Sequence, residues 1–367
     1  MLKNTDYIVL ITVVLLFAIG VVGIFSAGYN TEVNKDEYIK QIIWFSAVMV
    51  MMIVIWAIDY KVFDIFGYIL YGINLILLIL VLFMPTLMGA SSWFNLGGVL
   101  YQPSELMKIG YIICAAKFMS MLKNTAVQNN KKRKWIVISV LALLFIIPVG
   151  LIMLQPDFGT AVAFAFIAGF MIYKSGIKYR YILGALAVIA VLIPLVYFFL
   201  LNPVQQQRIK VFLDPGLDPL GSGYNAIQSK IAVGSGMITG TGLLKGAQTQ
   251  FGYLPIKSTD FIFSVLSEEL GFVISVAIIV LFVVLILRLL RIARDAKDDF
   301  ASFMVMGITG MIFFHFVQNI GMTIGLLPIT GVPLPFVSYG GSSLITNGMA
   351  IGIALNISAR KARNMFD

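Results

Sequence analysis

The chain is built from repeated apolar runs of membrane-spanning length, and its positive charge falls at only some of the joints between them. A helical span needs about 20 mostly apolar residues. Such runs lie near residues 7–28, 39–58, 65–85, 104–121, 135–154, 158–173, 181–201, 260–287, 300–325 and 342–358. Only 12% of residues are charged and 60% are hydrophobic, whereas soluble domains carry about 25% charged residues. Seventeen of the 26 Lys and Arg residues sit at the two ends and after even-numbered runs. They are Lys3, Lys61, the group from Lys123 to Lys134, the group from Lys174 to Arg180, the group from Arg288 to Lys297, and Arg360, Lys361 and Arg363. The positive-inside rule then places both termini in the cytoplasm. The expected fold is an all-α integral membrane protein with ten transmembrane helices, a single polytopic membrane domain over 1–367. The first run lacks a small-residue cleavage pattern and reads as a retained span.

Several function classes drop out on composition. The net charge is +9 and the pI about 9.4, but that charge lines membrane edges and forms no basic domain, so no nucleic-acid partner is expected. The one cysteine, Cys114, lies inside a run, which rules out an intramolecular disulfide. His315 is the only histidine. With no second His and no Cys cluster there is no zinc site, and flanking Phe313, Phe314 and Phe316 suggest that it packs. No P-loop or dinucleotide fingerprint is present. No nucleotide cofactor is expected, and an enzyme here must use an activated substrate.

One connection is long. Residues 202–259 form a large outer loop of 58 residues between the seventh and eighth runs, and loops of that length are usually functional. It carries Arg208, Lys210, Lys230, Lys245 and Lys257 against Asp214 and Asp218. That basic surplus has no topological reason on the outer face. It fits either attraction to anionic lipid head groups or a site for a phosphate-bearing ligand. Ile227, Ile231, Ala232 and Val233 recur near helical spacing, as in a helix lying in the interface. Gly234-Ser235-Gly236 and Gly240-Thr241-Gly242 permit turns and close backbone approach. Where the loop meets the eighth run, Thr259 is the expected N-cap and Asp260 a first-turn acid. Asp260 then either complements the helix dipole or serves a phosphorylated substrate brought by the basic loop.

Ionisable residues inside spans are functional candidates by default. Glu105 and Lys108 lie three apart on one helical face, either as a structural ion pair or as site residues. Lys117 lies near enough to the inner end to snorkel. Asp157 opens the sixth span, where a helix N-terminus favours an anion. Of Glu268 and Glu269, Glu268 aligns better with Asp260. The outer hairpin from Gly331 to Ser343, with Pro333, Pro335 and repeated glycines, forces irregular backbone. At membrane depth such backbone must be buried or line a cavity, so the hairpin, with Ser338, is expected to wall the site.

Five ordered segments carry a resemblance. They are Trp93 to Lys108 with Gln102-Pro103-Ser104-Glu105; Gln155-Pro156-Asp157-Phe158-Gly159-Thr160; Phe212-Leu213-Asp214-Pro215 through Gly223-Tyr224 to Gln228-Ser229-Lys230; Thr259-Asp260-Phe261-Ile262-Phe263 with Glu268-Glu269-Leu270-Gly271; and Ser338-Tyr339-Gly340-Gly341-Ser342-Ser343. Together they resemble the SEDS family (shape, elongation, division and sporulation), on its rod-shape rather than its divisome branch, over nearly the whole chain. Local departures are Ser91-Ser92 before Trp93 and Ile256-Lys257-Ser258 before Thr259.

The resemblance implies a peptidoglycan glycosyltransferase for cell elongation at the outer face of the cytoplasmic (inner) membrane. Its substrate would be lipid II, a disaccharide-pentapeptide on undecaprenyl diphosphate. A class B penicillin-binding protein transpeptidase would be the partner, and a divalent cation, Mg2+ or Mn2+, the cofactor. The family's required loop acid falls on Asp260, and its motif Glu and Lys on Glu105 and Lys108. Asp260 is the expected general base for inverting transfer. Arg208, Lys245 and Lys108 would face the leaving diphosphate, Glu105 would orient Lys108, and Asp157 and Ser338 complete the expected substrate contacts. A lipid II flippase or other polytopic transporter is the main rival, since broken helices and intramembrane charges also suit transport. A non-enzymatic scaffold for the partner is the third reading.

Overall fold

The structure is a computed structural model that describes residues 4–30, 35–85, 91–97, 99–176, 203–219 and 221–360, with the isolated positions 180, 184 and 198. The elements in order are α1 (Tyr7–Gly28), α2 (Glu37–Ala57), α3 (Phe63–Val81), β1 (Phe94–Leu96), β2 (Val99–Tyr101), α4 (Pro103–Lys123), α5 (Thr125–Gln128), α6 (Lys131–Leu154) and α7 (Phe158–Lys174). Then come α8 (Pro203–Leu213), α9 (Ser222–Ser235), α10 (Ala247–Gln250), α11 (Ile262–Arg294), α12 (Asp299–Thr323) and α13 (Gly341–Ala359). Every expected run coincides with a helix except 181–201, which apart from positions 184 and 198 lies outside the described residues. Among the described residues, seven helices are long and apolar enough to cross a membrane: α1, α2, α3, α6, α11, α12 and α13. The 17-residue α7 is shorter, and α4 carries Glu105, Lys108, Lys117 and Lys123.

Local chemistry sets the helix starts. Pro103 occupies the first turn of α4, where a missing N–H costs nothing. The side chains of Asn130, Asp157 and Asp298 accept from the backbone N–H groups of Arg133, Thr160 and Ala301, capping α6, α7 and α12. The expected cap at Thr259 does not form. Its hydroxyl donates back to the Ile256 carbonyl, and α11 begins at Ile262 with no side-chain cap. Asp260 therefore sits in the turn before the helix, free of the role of first-turn acid.

The helices α4 and α12 form the centre. The first packs on α3, α6, α7, α12 and α13, and the second also touches α7 and α11. Peripheral helices turn apolar faces outward. On α3, Ile65, Ile69, Ile73 and Ile76 are exposed at helical spacing, a stripe suited to lipid contact. The described residues are those of an all-α membrane protein, with one short antiparallel hairpin, β1–β2, pairing Phe94 with Tyr101 and Leu96 with Val99. The sequence reading did not foresee this hairpin.

The helix α11 is interrupted at Gly271, where φ is 77° and ψ −170°. A Cβ there would come within 2.3 Å of the Gly240 backbone nitrogen, so only glycine fits. The outer loop is spliced into the break. Thr241 and Gly242 N–H groups donate to the Glu268 and Glu269 carbonyls, and the Phe272 N–H donates to the Met237 carbonyl. The turns of the loop thereby satisfy backbone groups that the broken helix leaves open, as membrane depth requires. Gly240 passes so close to the Glu269 carbonyl that a Cβ would sit 2.1 Å from it.

The expected interfacial helix is α9. It packs on α11 and α12, with Ala232 and Ser229 buried and Ile231 exposed. The Ser229 hydroxyl donates to the Thr323 carbonyl and pairs with Ser264 at 2.7 Å. The loop helix is thus pinned to two spans rather than merely resting on the bilayer.

Candidate active site

The segments Gln102-Pro103-Ser104-Glu105 and Gln155-Pro156-Asp157, which both open with Gln-Pro, meet in space. The Gln102 carboxamide donates to Asp157 Oδ2 at 2.8 Å, and the Thr160 hydroxyl donates to the same oxygen at 2.8 Å. Burial pushes the Asp157 carboxyl up from its ordinary range, and the Thr160 hydrogen bonds pull it back in part. Asp157 is therefore a helix cap as well as a charged neighbour of Glu105 and Lys108. Beside it, Gly159 lets the hairpin approach: a Cβ there would lie 2.9 Å from the Thr330 carbonyl.

Glu105 and Lys108 form the ion pair that their spacing permits, with Lys108 Nζ donating to Glu105 Oε1 at 2.7 Å. Both are buried, Lys108 to 1% exposure. His315 is the residue that the sequence reading misjudged. It does not merely pack. Its Nε2 lies 2.9 Å from Lys108 Nζ, and its Nδ1 3.2 Å from the Pro333 carbonyl of the hairpin. One helical turn along α12, the Asn319 carboxamide donates to both the Asp260 and Val332 carbonyls, at 3.0 and 2.8 Å. One face of α12 thus ties together Lys108, the hairpin and the Asp260 backbone. Polar residues at four-residue spacing, His315, Asn319 and Thr323, were the signal in the sequence.

Asp260 occupies a half-buried turn against the hairpin. A side chain at Gly331 would start 3.5 Å from its Oδ2. Burial raises its carboxyl to about 6, opposed by a hydrogen bond with Thr259. Ser338 fixes this turn: its hydroxyl donates to the Thr259 carbonyl at 2.6 Å and accepts from the Leu334 N–H at 2.8 Å. Ser338 thus walls the site through its scaffold, with its hydroxyl used internally. Around these groups, Ser104 Oγ, Glu105 Oε2, Asn319 Oδ1 and Thr330 Oγ1 are buried without a partner inside the protein. Unsatisfied buried polar atoms need an explanation, and solvent or a polar ligand supplies one.

Other candidates are placed differently. Glu268 accepts from the Gln248 and Thr249 N–H groups and the Thr249 hydroxyl. Glu269 accepts from Ser26, the Leu244 N–H and Gln250. Both clamp the loop over the α11 break, and neither turns toward Asp260. Lys245 is exposed on that clamped segment. Arg208 lies on α8, with its side chain outside the described residues. Lys117 pairs with Asp64 instead of reaching freely for the surface. Among the described residues no three His, Cys, Asp or Glu side chains group as a cation cage.

Residues 6–363 match the FtsW/RodA/SpoVE family, described as cell cycle proteins. The chain is 38% identical to the peptidoglycan glycosyltransferase MrdB of Escherichia coli K12, over 85% of this chain and 83% of the relative. It is 34% identical to the peptidoglycan glycosyltransferase RodA of Treponema pallidum over 98% of each, and 37% identical to the stage V sporulation protein E of Bacillus subtilis over 97% of each. Among solved structures, a chain of a peptidoglycan synthase complex that coordinates polymerization and crosslinking superimposes with a TM-score of 0.81 at 29% identity, covering 98% of this chain and 99% of that one. The rod shape determining protein RodA of Thermus thermophilus superimposes with a TM-score of 0.70 at 26% identity, covering 98% of each. With the helical membrane fold and the ordered motifs matched along almost the entire sequence, the chain belongs to the FtsW/RodA/SpoVE family.

Proposed function

We propose that the chain is a peptidoglycan glycosyltransferase that polymerises lipid II at the outer face of the cytoplasmic membrane, in the service of cell elongation. In this reading ten spans form one polytopic domain with both termini cytoplasmic, and residues 202–259 overhang the site as the outer loop. The observation that carries it is the shared face of α12. Asn319 holds the backbone of the Asp260 turn and His315 contacts Lys108, so the candidate base and the candidate cation are both anchored to one face of α12, by residues one helical turn apart.

The reaction is inverting. The 4-hydroxyl of an acceptor N-acetylglucosamine attacks C1 of a donor N-acetylmuramic acid, its proton passes to Asp260, and undecaprenyl diphosphate leaves with the bonding electrons. A base with a pKa of about 6 is mostly ionised at pH 7 yet basic enough to accept the proton as the bond forms. Lys108 meets the charge that develops on the diphosphate, and Arg208 and Lys245 attract the head group from the loop. Asp157 and Ser338 hold the walls. A divalent cation, Mg2+ or Mn2+, would enter with the substrate, with Asp260 as the carboxylate that would help to hold it, since Mg2+ commonly takes one or two carboxylates plus phosphates. Bound there it would supply further neutralisation of the leaving group. The similarity to a chain from a polymerizing and crosslinking complex supports a class B penicillin-binding protein as partner.

The test is polymer formation from lipid II by purified protein in detergent, with and without that partner. Detergent has no compartments, so a flippase yields no polymer. Asp260→Asn should lower turnover by about 10²–10⁴-fold. Wild-type turnover should fall about tenfold per pH unit below 6, because protonation removes the base and the folded carboxyl titrates there. An Asp260→Asn enzyme with normal turnover and normal melting would remove the base assignment.

A further inference from the structure

The only histidine of the chain contacts a buried lysine, and the chemistry of that contact is fully determined by its neighbours. The Pro333 carbonyl can only accept, so the His315 nitrogen 3.2 Å from it, Nδ1, carries the hydrogen. An ammonium can only donate, so the nitrogen 2.9 Å from Lys108 Nζ, Nε2, must present its lone pair. An imidazolium would aim a second N–H and a second positive charge at Lys108. The ion pair with Glu105 keeps the charge and the proton on the lysine. His315 is therefore the neutral Nδ1–H tautomer, fixed by the hydrogen bond its other nitrogen makes.

From this we infer that His315 is a positioning residue for Lys108, an inference that rests on the glycosyltransferase reading. A lysine ammonium rotates freely and holds three N–H groups. Here Glu105 Oε1 takes one and His315 Nε2 a second. Two fixed directions on a tetrahedral nitrogen fix the third, so the remaining N–H is aimed before substrate arrives. Glu105 alone would leave the ammonium free to swing about a single contact. Because Nδ1 is tied to Pro333, the aim is also keyed to the hairpin that lies against Asp260. The lysine and the acid are thus held in register through His315 and Asn319 on one helix.

Carboxamides separate this role from simple anchoring of the hairpin. Asparagine places its amide near the Nδ1 position and can still donate to Pro333, but it offers Lys108 nothing. Glutamine reaches the Nε2 position and can accept from Lys108, but it loses Pro333. In lipid II polymerisation, His315→Asn should lower kcat about 10–100-fold, as loss of a supporting partner does, with KM within about threefold. His315→Gln, which keeps the contact with Lys108 and loses only the tie to the hairpin, should fall less, staying within about tenfold of wild type and clearly above His315→Asn. The reverse order, equal losses, or an Asn variant at wild-type turnover would overturn the inference. A readout independent of activity is nitrogen-15 NMR of untagged protein, where one histidine gives one pair of ring signals. The neutral Nδ1–H form is expected at pH 7, with the Nε2 signal moving in Lys108→Met. An Nε2–H or imidazolium spectrum, or no response to Lys108→Met, overturns the inference even if the protein makes no polymer. Absent polymer with the expected spectrum instead defeats the glycosyltransferase reading alone.

Discussion

Two pairs of charged residues lie buried in the helical core, and they are opposites in how their polar atoms are used. At Glu268 and Glu269 the carboxylates accept from three backbone N–H groups, two hydroxyls and a carboxamide. At Glu105 and Lys108 one carboxylate oxygen is taken by the lysine and the other has no partner inside the protein. The first pair closes a break in a membrane helix. The second keeps hydrogen-bonding capacity in reserve beside His315 and Asp157. A rule that reads every acid at membrane depth as functional treats them alike, whereas the census of their partners separates a clamp from a site.

The sharpest way to break this comparison is to neutralise each pair. Glu105→Gln/Lys108→Met removes both charges at nearly constant volume, and replacing a buried pair in this way is often neutral for stability. Turnover should nonetheless fall about 10²–10³-fold, the usual loss for one electrostatic donor, with unchanged thermal melting in detergent. An active double variant would make the pair structural. Glu268→Ala should do the reverse. It strands the Gln248 and Thr249 N–H groups and the Thr249 hydroxyl, and each buried orphan costs about 1–3 kcal/mol. A loss of roughly 3 kcal/mol in unfolding free energy is expected, with KM unchanged in whatever fraction remains folded. Melting like wild type would show that the loop over Gly271 does not need its clamp. The smallest effect should come from Asp64→Asn, which removes the partially exposed bridge to Lys117. Such pairs contribute under about 1 kcal/mol, and neither melting nor turnover should change appreciably.

The contrast also explains where reading the residues in order succeeds. Spacing alone put Glu105 and Lys108 on one face, since three residues apart on a helix is a local relation. The same locality covers the apolar runs and the glycines that announce tight backbone approach. It fails for His315, whose aromatic neighbours in sequence pointed to packing, because its partner Lys108 is 207 residues away. It fails at Thr259 as well, where the hairpin's Ser338 fixes the turn from 79 residues away. It also missed the break at Gly271, because a glycine inside a long apolar run gives no sign of the loop inserted beside it.

By itself, the sequence determined that this chain forms apolar helices separated by short joints and one long basic loop, because helix formation in an apolar run depends on neighbours a few residues apart. It also carried the motifs that mark the family. Only the tertiary structure decided which buried charges are spent on backbone N–H groups, which keep an open oxygen, and which face of α12 gathers them. Those outcomes depend on hydrogen-bond partners supplied by distant segments, and a buried polar group is defined by its partner as much as by its own side chain.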